Sequence, residues 1–228
     1  MMNNKYIFPI YKPIGISSFD VIRQLRKITG IRKIGHAGTL EPLAEGVLVV
    51  GITRNGTKQL HQLLKCDKEY LAEIKLGADT STGDREGEEI TVVVGQEPTL
   101  AQVDEALKSF EGEIEQTPHR YSAVKIKGQP AYKLARKGKE FQLQPKKVFI
   151  HQLEITKYQY PLVKIRAKVG SGVYIRSLAR DLGKKLKTGA YLISLIRTRV
   201  GNFSADDSLS LQDFAQKWED GEITISGN

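Results

Sequence analysis

The residues best suited to chemistry in this sequence lie in a glycine-rich stretch at positions 35–48, GHAGTLEPLAEGVL. Glu41 stands directly before Pro42, and the residue before a proline is pushed away from helical backbone angles. Glu41 is therefore predicted to lie on a loop, which is a common way to present a reactive carboxylate. The alternative is an ordinary surface loop with a solvated charge, since most charged side chains only face water.

Two elements next to this stretch are predicted to hold it in place. The apolar run at residues 47–52 indicates a buried strand directly after the loop. Before the loop, a helix is predicted to start at Ser17 or Ser18 and to end at Gly30, because its apolar residues recur at helical spacing. The loop is thus expected between a helix and the edge of a sheet.

The rest of the chain mixes strands and helices without a regular alternation, and several strands follow one another directly. This order predicts an α+β fold with a largely antiparallel or mixed sheet. Residues 77–87 are predicted to form a polar loop, and the tail from residue 209 to form one or two amphipathic turns. Strands are predicted at 6–11, 68–76, 88–94, 147–157, 162–169 and 191–200, and further helices at 56–64, from Thr99, and from residue 175.

The composition favours a polyanionic partner. The 228 residues include 35 Lys and Arg against 26 Asp and Glu, which gives a formal charge of +9, and an excess of this size favours nucleic acid. With one cysteine, Cys66, and four histidines without ligand spacing, no disulfide and no metal site are predicted. The first residues do not resemble a signal peptide and no apolar run approaches a membrane span, so we expect a cytoplasmic protein.

Two segments carry further candidates for binding. Residues 116–145 are basic and contain tyrosines, a pattern that suits an RNA backbone and its bases; the alternative is a solvated basic hairpin or helix. Further on, Arg176 falls in the first turn of a predicted helix, where the helix dipole opposes a cation. Arg176 is therefore predicted to have an anionic partner.

Taken in order, the motifs of this chain resemble one known family. The sequence KPxGxSS at 12–18 is followed by GHxGTL at 35–40, PLAxGVL at 42–48, KxY at 68–70 and TxTxDxxG at 80–87. YSAxKxxG at 121–128 and GxYIRSL at 172–178 complete the set. The ordered set, from about residue 11 to 203, resembles the bacterial tRNA pseudouridine-55 synthases, the TruB family.

The resemblance implies a fold and an activity. The fold is a pseudouridine synthase fold, with a mixed, mostly antiparallel central sheet flanked by helices, and residues 116–145 form an insertion that closes over the RNA. The activity is the isomerisation of uridine to pseudouridine at position 55 in the T-loop of tRNA, after the base has left its stack. The resemblance implies no metal and no cofactor.

The resemblance also implies roles for single residues. Glu41 occupies the position of the family's nucleophile. Tyr70 is expected to stack on the target uracil, and Arg176 to pair with the catalytic carboxylate and keep it ionised. Tyr174 is expected to line the pocket, and His36 to fill the gap left by the flipped uridine. The remaining candidate substrate contacts are Lys12, which is also expected to support the loop, Asp84, Tyr121, Lys125 and Arg136.

Two departures from the family pattern matter. The family has aspartate where this chain has Glu41, and the extra methylene would displace the carboxylate by roughly 1–1.5 Å, enough to cost about 100-fold in rate. Two alternatives stay open: a slow synthase, or an inactive protein that binds the tRNA elbow. A generic basic nucleic-acid-binding domain is a third hypothesis, which the number of ordered motifs disfavours.

The second departure is at the C-terminus. Only a short tail follows Phe203, so we expect a single catalytic domain over residues 1–228 without the family's usual C-terminal RNA-binding module. We also expect a monomer, because no large apolar stripe is left unexplained.

Overall fold

The computed structural model describes residues 5–122, 124–126 and 128–225, without the side chains at positions 132 and 136. Its elements in chain order are β1 (Ile7–Lys12), α1 (Ser18–Thr29), β2 (Ile34–Ala37), β3 (Ala44–Ile52), α2 (Thr53–Leu64), β4 (Lys68–Leu76), β5 (Ala78–Thr80), β6 (Glu89–Thr91), α3 (Leu100–Lys108), β7 (Gly112–Gln116), β8 (Lys125–Ile126), β9 (Gln129–Pro130), α4 (Ala131–Arg136), β10 (Lys146–Gln159), β11 (Leu162–Val169), α5 (Ile175–Leu186), β12 (Ala190–Val200), β13 (Phe203–Ser204) and α6 (Leu211–Glu219).

The chain divides into two compact units. The first reaches to Tyr70 and resumes at Ile196, and the second comprises Leu71–Leu195. The single catalytic domain expected from the sequence stays a prediction. Among the described residues, no helix is long and apolar enough to cross a membrane.

In the first unit, β3 is the central strand. It pairs antiparallel with β1 and with β2, and β12 is its other neighbour in the sheet. Both faces of β3 are buried: Leu48 and Val50 face a core with residues of α1, whereas Val47 and Val49 pack in a second core with Leu60 of α2. A strand covered on both faces accounts for the continuous apolar run in the sequence.

Helix α1 begins and ends where the sequence predicts. Ser17 accepts a hydrogen bond from the Asp20 backbone while the Asp20 side chain accepts from Ser17, which forms a capping box. Gly30 ends the helix at φ 71°, a left-handed conformation that glycine adopts without steric cost. These local signals make α1 a fixed support next to the Glu41 loop.

The tail forms more structure than predicted. Instead of one or two turns, it forms the nine-residue helix α6, whose Phe214 is fully buried and packs edge to face on Phe8. Leu209 also exchanges two backbone hydrogen bonds with β1, to Pro9 and Tyr11. The apolar residues of α6 were visible in the sequence, but the strand edge and helix that they cover were not.

From Leu71 onward β4 belongs to the second unit, where β4, β11, β10 and β7 are neighbours in that order in the sheet. β10 pairs antiparallel with both β11 and β7. The strand predicted at 68–76 is confirmed as β4, in which every second residue is buried: Lys68, Tyr70, Ala72, Ile74 and Leu76. Together with the helices, these pairings confirm the predicted α+β class with a mostly antiparallel sheet.

Several element predictions were wrong in detail. Residues 78–80 form β5, paired with β6, inside the stretch predicted as a loop, and β7 was not predicted because it is short and carries two glutamates. Helix α2 begins at Thr53 rather than at residue 56. Residues 116–145, the predicted insertion, include the short elements β8, β9 and α4.

Candidate active site

Glu41 lies on the loop between β2 and β3, outside any helix or strand, as the proline after it predicted. The antiparallel pairing of β2 with β3 brings the two ends of this loop together. Within it, the Ala44 N–H donates to the Glu41 carbonyl over 3.0 Å, which closes a turn at Pro42 and Leu43. The half-buried Glu41 side chain is thus carried by a short, hydrogen-bonded turn.

Ser18, the first residue of α1, and Gly15, just before the helix, hold this turn on both sides of Glu41. The buried hydroxyl of Ser18 donates to the Leu40 carbonyl over 2.9 Å and accepts from the Leu40 N–H over 2.8 Å. On the other side, the Gly15 N–H donates to the Pro42 carbonyl over 2.8 Å. The backbone is therefore fixed immediately before and immediately after the candidate nucleophile.

Lys12 supports the segment that contains Gly15. Its fully buried ammonium donates to the carbonyls of Pro13 at 2.8 Å and Ile16 at 2.7 Å. Burial lowers the pKa of Lys12 from 10.5 to about 8, and Glu45 opposes this shift. This position fits the loop-supporting role expected of Lys12; its contact with substrate stays a prediction.

Arg197 of β12 is a residue that the sequence analysis missed. Only 1% exposed, it donates from Nε to the Val47 carbonyl at 2.8 Å and from Nη2 to the Gly38 carbonyl at 3.1 Å. It therefore joins the two ends of the Glu41 loop. Gly46 is required beside it, because a Cβ there would lie 2.2 Å from the Arg197 carbonyl oxygen. The sequence contained one sign of this role, because Arg197 is a basic residue inside a largely apolar predicted strand.

His36 and Tyr70 also belong to the first unit. His36 is half-buried at the end of β2, and burial together with the charge of Arg197 lowers its pKa below 6.5, so the ring is neutral at pH 7. The Tyr70 ring is 8% exposed on the buried face of β4. The neutral, largely buried rings suit contacts with a nucleobase, and their expected roles stay predictions.

In the second unit, Arg176 has the anionic partner that its position in α5 predicts. Its guanidinium Nη1 lies 2.9 Å from Oδ2 of Asp84, and the two side chains are 8% and 2% exposed. Asp84 also accepts from the Thr82 hydroxyl at 2.7 Å and from the Glu86 N–H at 3.0 Å. Arg176 donates in addition to the Thr82 carbonyl at 2.9 Å. Both charges are therefore buried, paired and hydrogen-bonded, as stability requires.

His119, a residue that was not predicted to belong to the site, lies close to this ion pair. His119 is 9% exposed and packs against Gly83, where a Cβ would lie 2.9 Å from its Nε2. Burial lowers the pKa of His119 to about 3, and the charges of Arg176 and Arg180 act in the same direction. Its neutral ring stacks on Tyr121 with ring centroids 5.9 Å apart. Nothing in the local sequence distinguished this histidine from a surface residue.

Tyr174 is positioned by another missed residue, Gln116. The side chain of Gln116 accepts from the Tyr174 N–H at 2.8 Å and donates to the Tyr174 carbonyl at 3.2 Å. These bonds fix the backbone at the N-terminus of α5, which begins at the next residue. Tyr174 itself is half-buried.

The remaining candidates lie in the predicted insertion. Lys125 is exposed on β8, and Tyr121 is half-buried against His119. Arg136 ends α4, but its side chain lies outside the described part of the structure. Within the described residues, no group of three or more His, Cys, Asp or Glu side chains could hold a metal ion.

Comparisons with known proteins show the family of this chain. The family model described as TruB family pseudouridylate synthase (N terminal domain) matches residues 26–175, and the model for the tRNA pseudouridylate synthase B C-terminal domain matches residues 176–224. The chain is 46% identical over 207 residues to tRNA pseudouridine synthase B of Protochlamydia amoebophila, covering 90% of this chain and 77% of that protein. The corresponding protein of Clostridium tetani is 42% identical over 211 residues, covering 92% and 73%.

Solved structures are similar to this chain in fold. A chain in the crystal structure of a Cbf5-Nop10-Gar1 complex has a TM-score of 0.75 and 28% identity, over 97% of this chain and 57% of that one. A chain in the structure of an H/ACA RNP bound to a substrate RNA containing 2′-deoxyuridine has a TM-score of 0.71 and 26% identity, over 98% and 57%. By its sequence motifs, its fold and these matches, the chain belongs to the TruB family of pseudouridylate synthases.

Proposed function

We propose that this protein isomerises uridine to pseudouridine at position 55 in the T-loop of tRNA, with Glu41 as the nucleophile. The observation that carries the proposal is the fixation of the Glu41 turn at Leu40 and Pro42 in a member of this family. A carboxylate on a backbone held at both sides can attack at a defined position, which is the main requirement of covalent catalysis. A tRNA substrate also puts the proposed activity in the cytoplasm.

The proposed reaction conserves all atoms. The N1–C1′ glycosidic bond of the uridine breaks while the carboxylate holds the substrate covalently, the freed uracil turns, and a C5–C1′ bond forms. The C5 proton is then released and N1 gains a proton, so the product is an isomer. No oxidant, reductant or hydrolytic water takes part, and the carboxylate is regenerated.

The other site residues have proposed roles in this reaction. Tyr70 supplies an aromatic platform for the base while it turns, and stacking on such platforms contributes substantially to binding single-stranded bases. Arg176 supplies the positive charge that favours an ionised nucleophile, and Asp84 positions Arg176 through the 2.9 Å ion pair. Tyr174 lines the pocket, His36 takes the place of the flipped uridine, and the basic insertion grips the T-arm.

The identity of Glu41 sets the expected rate. The family's aspartate would end one methylene earlier, and displacement of a reacting group by about 1 Å costs on the order of 100-fold. The bonds from Ser18, Gly15 and Arg197 to the loop oppose a compensating shift of its backbone. We therefore propose an active but slow enzyme.

The experiment is a single-turnover assay of tritium release from a T-arm hairpin with [5-³H]uridine at the target position. We expect slow release with the natural chain, release about 100-fold faster with Glu41→Asp, and none with Glu41→Gln. Release from Glu41→Asp alone would show a synthase scaffold that this chain does not use. No release from any variant, despite RNA binding, would refute the proposed activity.

A second candidate function follows from the same residue. If Glu41 does not react, the chain is a tRNA-elbow binding protein that flips the base without turnover. Salt-dependent binding of the T-arm hairpin, without tritium release, is its expected signature. We take the protein to act as a monomer in either case, and sedimentation of the free chain tests this.

A further inference from the structure

Helix α1 carries an exposed aromatic residue that the fold does not use. Phe19 is 56% exposed, and Ile14, just before the helix, is 45% exposed. The core-facing side of α1 consists of other residues, among them Val21, Ile22 and Leu25, all at most 2% exposed. Packing of the first unit therefore does not account for the aromatic ring at position 19.

Two guanidinium groups flank the Phe19 ring. Arg23 and Arg26 follow at i+4 and i+7 on the same helix face, and their Cζ atoms lie 5.9 and 5.7 Å from the ring centroid. Arg23 is 63% exposed and pairs with Asp20. Arg26 is half-buried, and its Nη2 reaches the Ile34 carbonyl at 3.5 Å. We call Ile14, Phe19, Arg23 and Arg26 together the α1 patch.

The surroundings of the α1 patch are strongly basic. Between residues 18 and 33 the sequence contains five basic residues and one acidic residue. A surface with this excess attracts a polyanion and repels other basic surfaces. An exposed aromatic ring among arginines is also the composition of stacking platforms for single-stranded nucleic acids.

The α1 patch is attached directly to the Glu41 loop. Phe19 follows Ser18, whose hydroxyl makes two hydrogen bonds to Leu40, and Ile14 precedes Gly15, whose N–H binds Pro42. The two exposed apolar side chains thus each neighbour a residue that fixes the backbone beside the nucleophile. The α1 patch is therefore joined, through the chain and these hydrogen bonds, to the turn that carries Glu41.

We propose that the α1 patch binds a nucleotide of the substrate RNA close to the target uridine. The unpaired base stacks on Phe19, Ile14 extends the apolar contact, and Arg23 and Arg26 bind the adjoining phosphates. This inference rests on the proposed function, because it takes the RNA to be the substrate of Glu41. Charge complementarity favours RNA over a second copy of this basic chain.

The first test measures the Kd of a T-arm hairpin for the full chain and for variants at Phe19. Stacking of one base corresponds to about 5- to 150-fold in affinity. Phe19→Ala and Phe19→Leu should therefore both weaken binding by a factor in this range, while Phe19→Trp retains it. The matched control is Leu64→Ala, which removes a 44% exposed apolar side chain from α2. Because both positions are exposed, neither variant is expected to unfold.

The second test separates the phosphate contact from the stacking. Arg23→Gln should reduce the slope of log K against log salt by about 0.7, the value for one contact to a single strand. Lys58→Gln, an exposed cation on α2, is the control and should leave the slope unchanged. Equal slopes for both variants would contradict the role of Arg23.

The outcomes distinguish this inference from the proposed function. If the natural chain binds and converts the hairpin while Phe19→Ala binds equally well, the α1 patch does not bind RNA. Affinity retained by Phe19→Leu would exclude base stacking. If the natural chain is a dimer, Phe19→Ala is a monomer and both bind RNA equally well, the patch serves self-association. Absence of any hairpin binding by the natural chain would instead refute the proposed function.

Discussion

At the residue scale, Asp84 and Arg176 stabilise each other only as a pair. Both side chains are less than a tenth exposed, and removing one partner of a buried ion pair costs about 3–5 kcal/mol. We expect Asp84→Asn, which preserves the shape of the side chain, to lower the free energy of unfolding by an amount of this order and to lower the single-turnover rate as well, because Arg176 loses the group that positions it. Urea unfolding and tritium release measure the two effects.

The control for Asp84 is the ion pair between Arg180 and Asp181. It has a similar separation, 3.0 Å, but its side chains are 26% and 27% exposed, and exposed pairs contribute about 0–1 kcal/mol. Asp181→Asn should therefore change neither quantity appreciably. Equal losses of stability in both variants would contradict the argument from burial, and an unchanged rate in Asp84→Asn would show that Asp84 has no part in the reaction.

His119 gives a prediction about pH. Its pKa in the folded state is about 3, mainly because it is buried, whereas an unfolded histidine titrates near 6.5. Between pH 3 and pH 6.5 the unfolded chain binds more protons at this histidine than the folded chain does. The stability that neutral His119 contributes is therefore complete above pH 6.5 and is lost as the pH falls. His119→Phe should remove a slope of up to about 1.4 kcal/mol per pH unit.

Urea unfolding at several pH values between 7 and 4 measures this slope, and the difference between the natural chain and the variant isolates one residue from the titrating carboxylates. His61→Phe, at an exposed position of α2, is the control and should leave the curve unchanged. A pH dependence that is the same with and without His119 would contradict its burial as a neutral ring.

At the scale of the element, α1 acts as the support of the Glu41 turn. Ser18→Ala removes both hydrogen bonds to Leu40 and leaves buried backbone groups unpaired, at a cost of about 1–3 kcal/mol. The turn is then free to shift, and a shift of about 1 Å lowers the rate on the order of 100-fold. We expect a lower single-turnover rate at saturating RNA with little change in RNA affinity.

The neighbouring Ser17 provides the matched variant. Ser17→Ala removes the capping box of the same helix, at about 1 kcal/mol, but touches no residue of the turn. If α1 acts by positioning Leu40, only Ser18→Ala slows the reaction although both variants destabilise the helix. A loss of rate that follows stability in both variants would show that Ser18 has no positioning role.

The elements themselves were predictable where their signals are local. The capping residues of α1 and the alternation of β4 fixed these elements within a residue or two. β7 was missed because a five-residue strand with two glutamates acquires its identity from pairing with β10. The tail was underestimated for the same reason, since the burial of Phe214 depends on a partner distant in sequence.

At the scale of the whole molecule, charge and fold contribute separately to function. The net charge of +9 favours association with RNA of any sequence, whereas the chemistry that we propose depends on the turn that carries Glu41. The division into two compact units assigns Glu41 to one and the Asp84–Arg176 pair to the other. Each unit contains its own buried polar network. Ser18→Ala tests the network at the Glu41 turn, and Asp84→Asn tests the network around Arg176.

The sequence by itself determined the family, the fold class, and the loop position of Glu41, because ordered motifs, hydrophobic periodicity and a following proline act through neighbouring residues. The tertiary structure alone decided that Arg197 joins the ends of the Glu41 loop, that Asp84 forms an ion pair with Arg176, and that His119 is buried and neutral. These properties depend on which distant side chains become neighbours and on how much water is excluded between them. Local spacing along the chain encodes neither quantity.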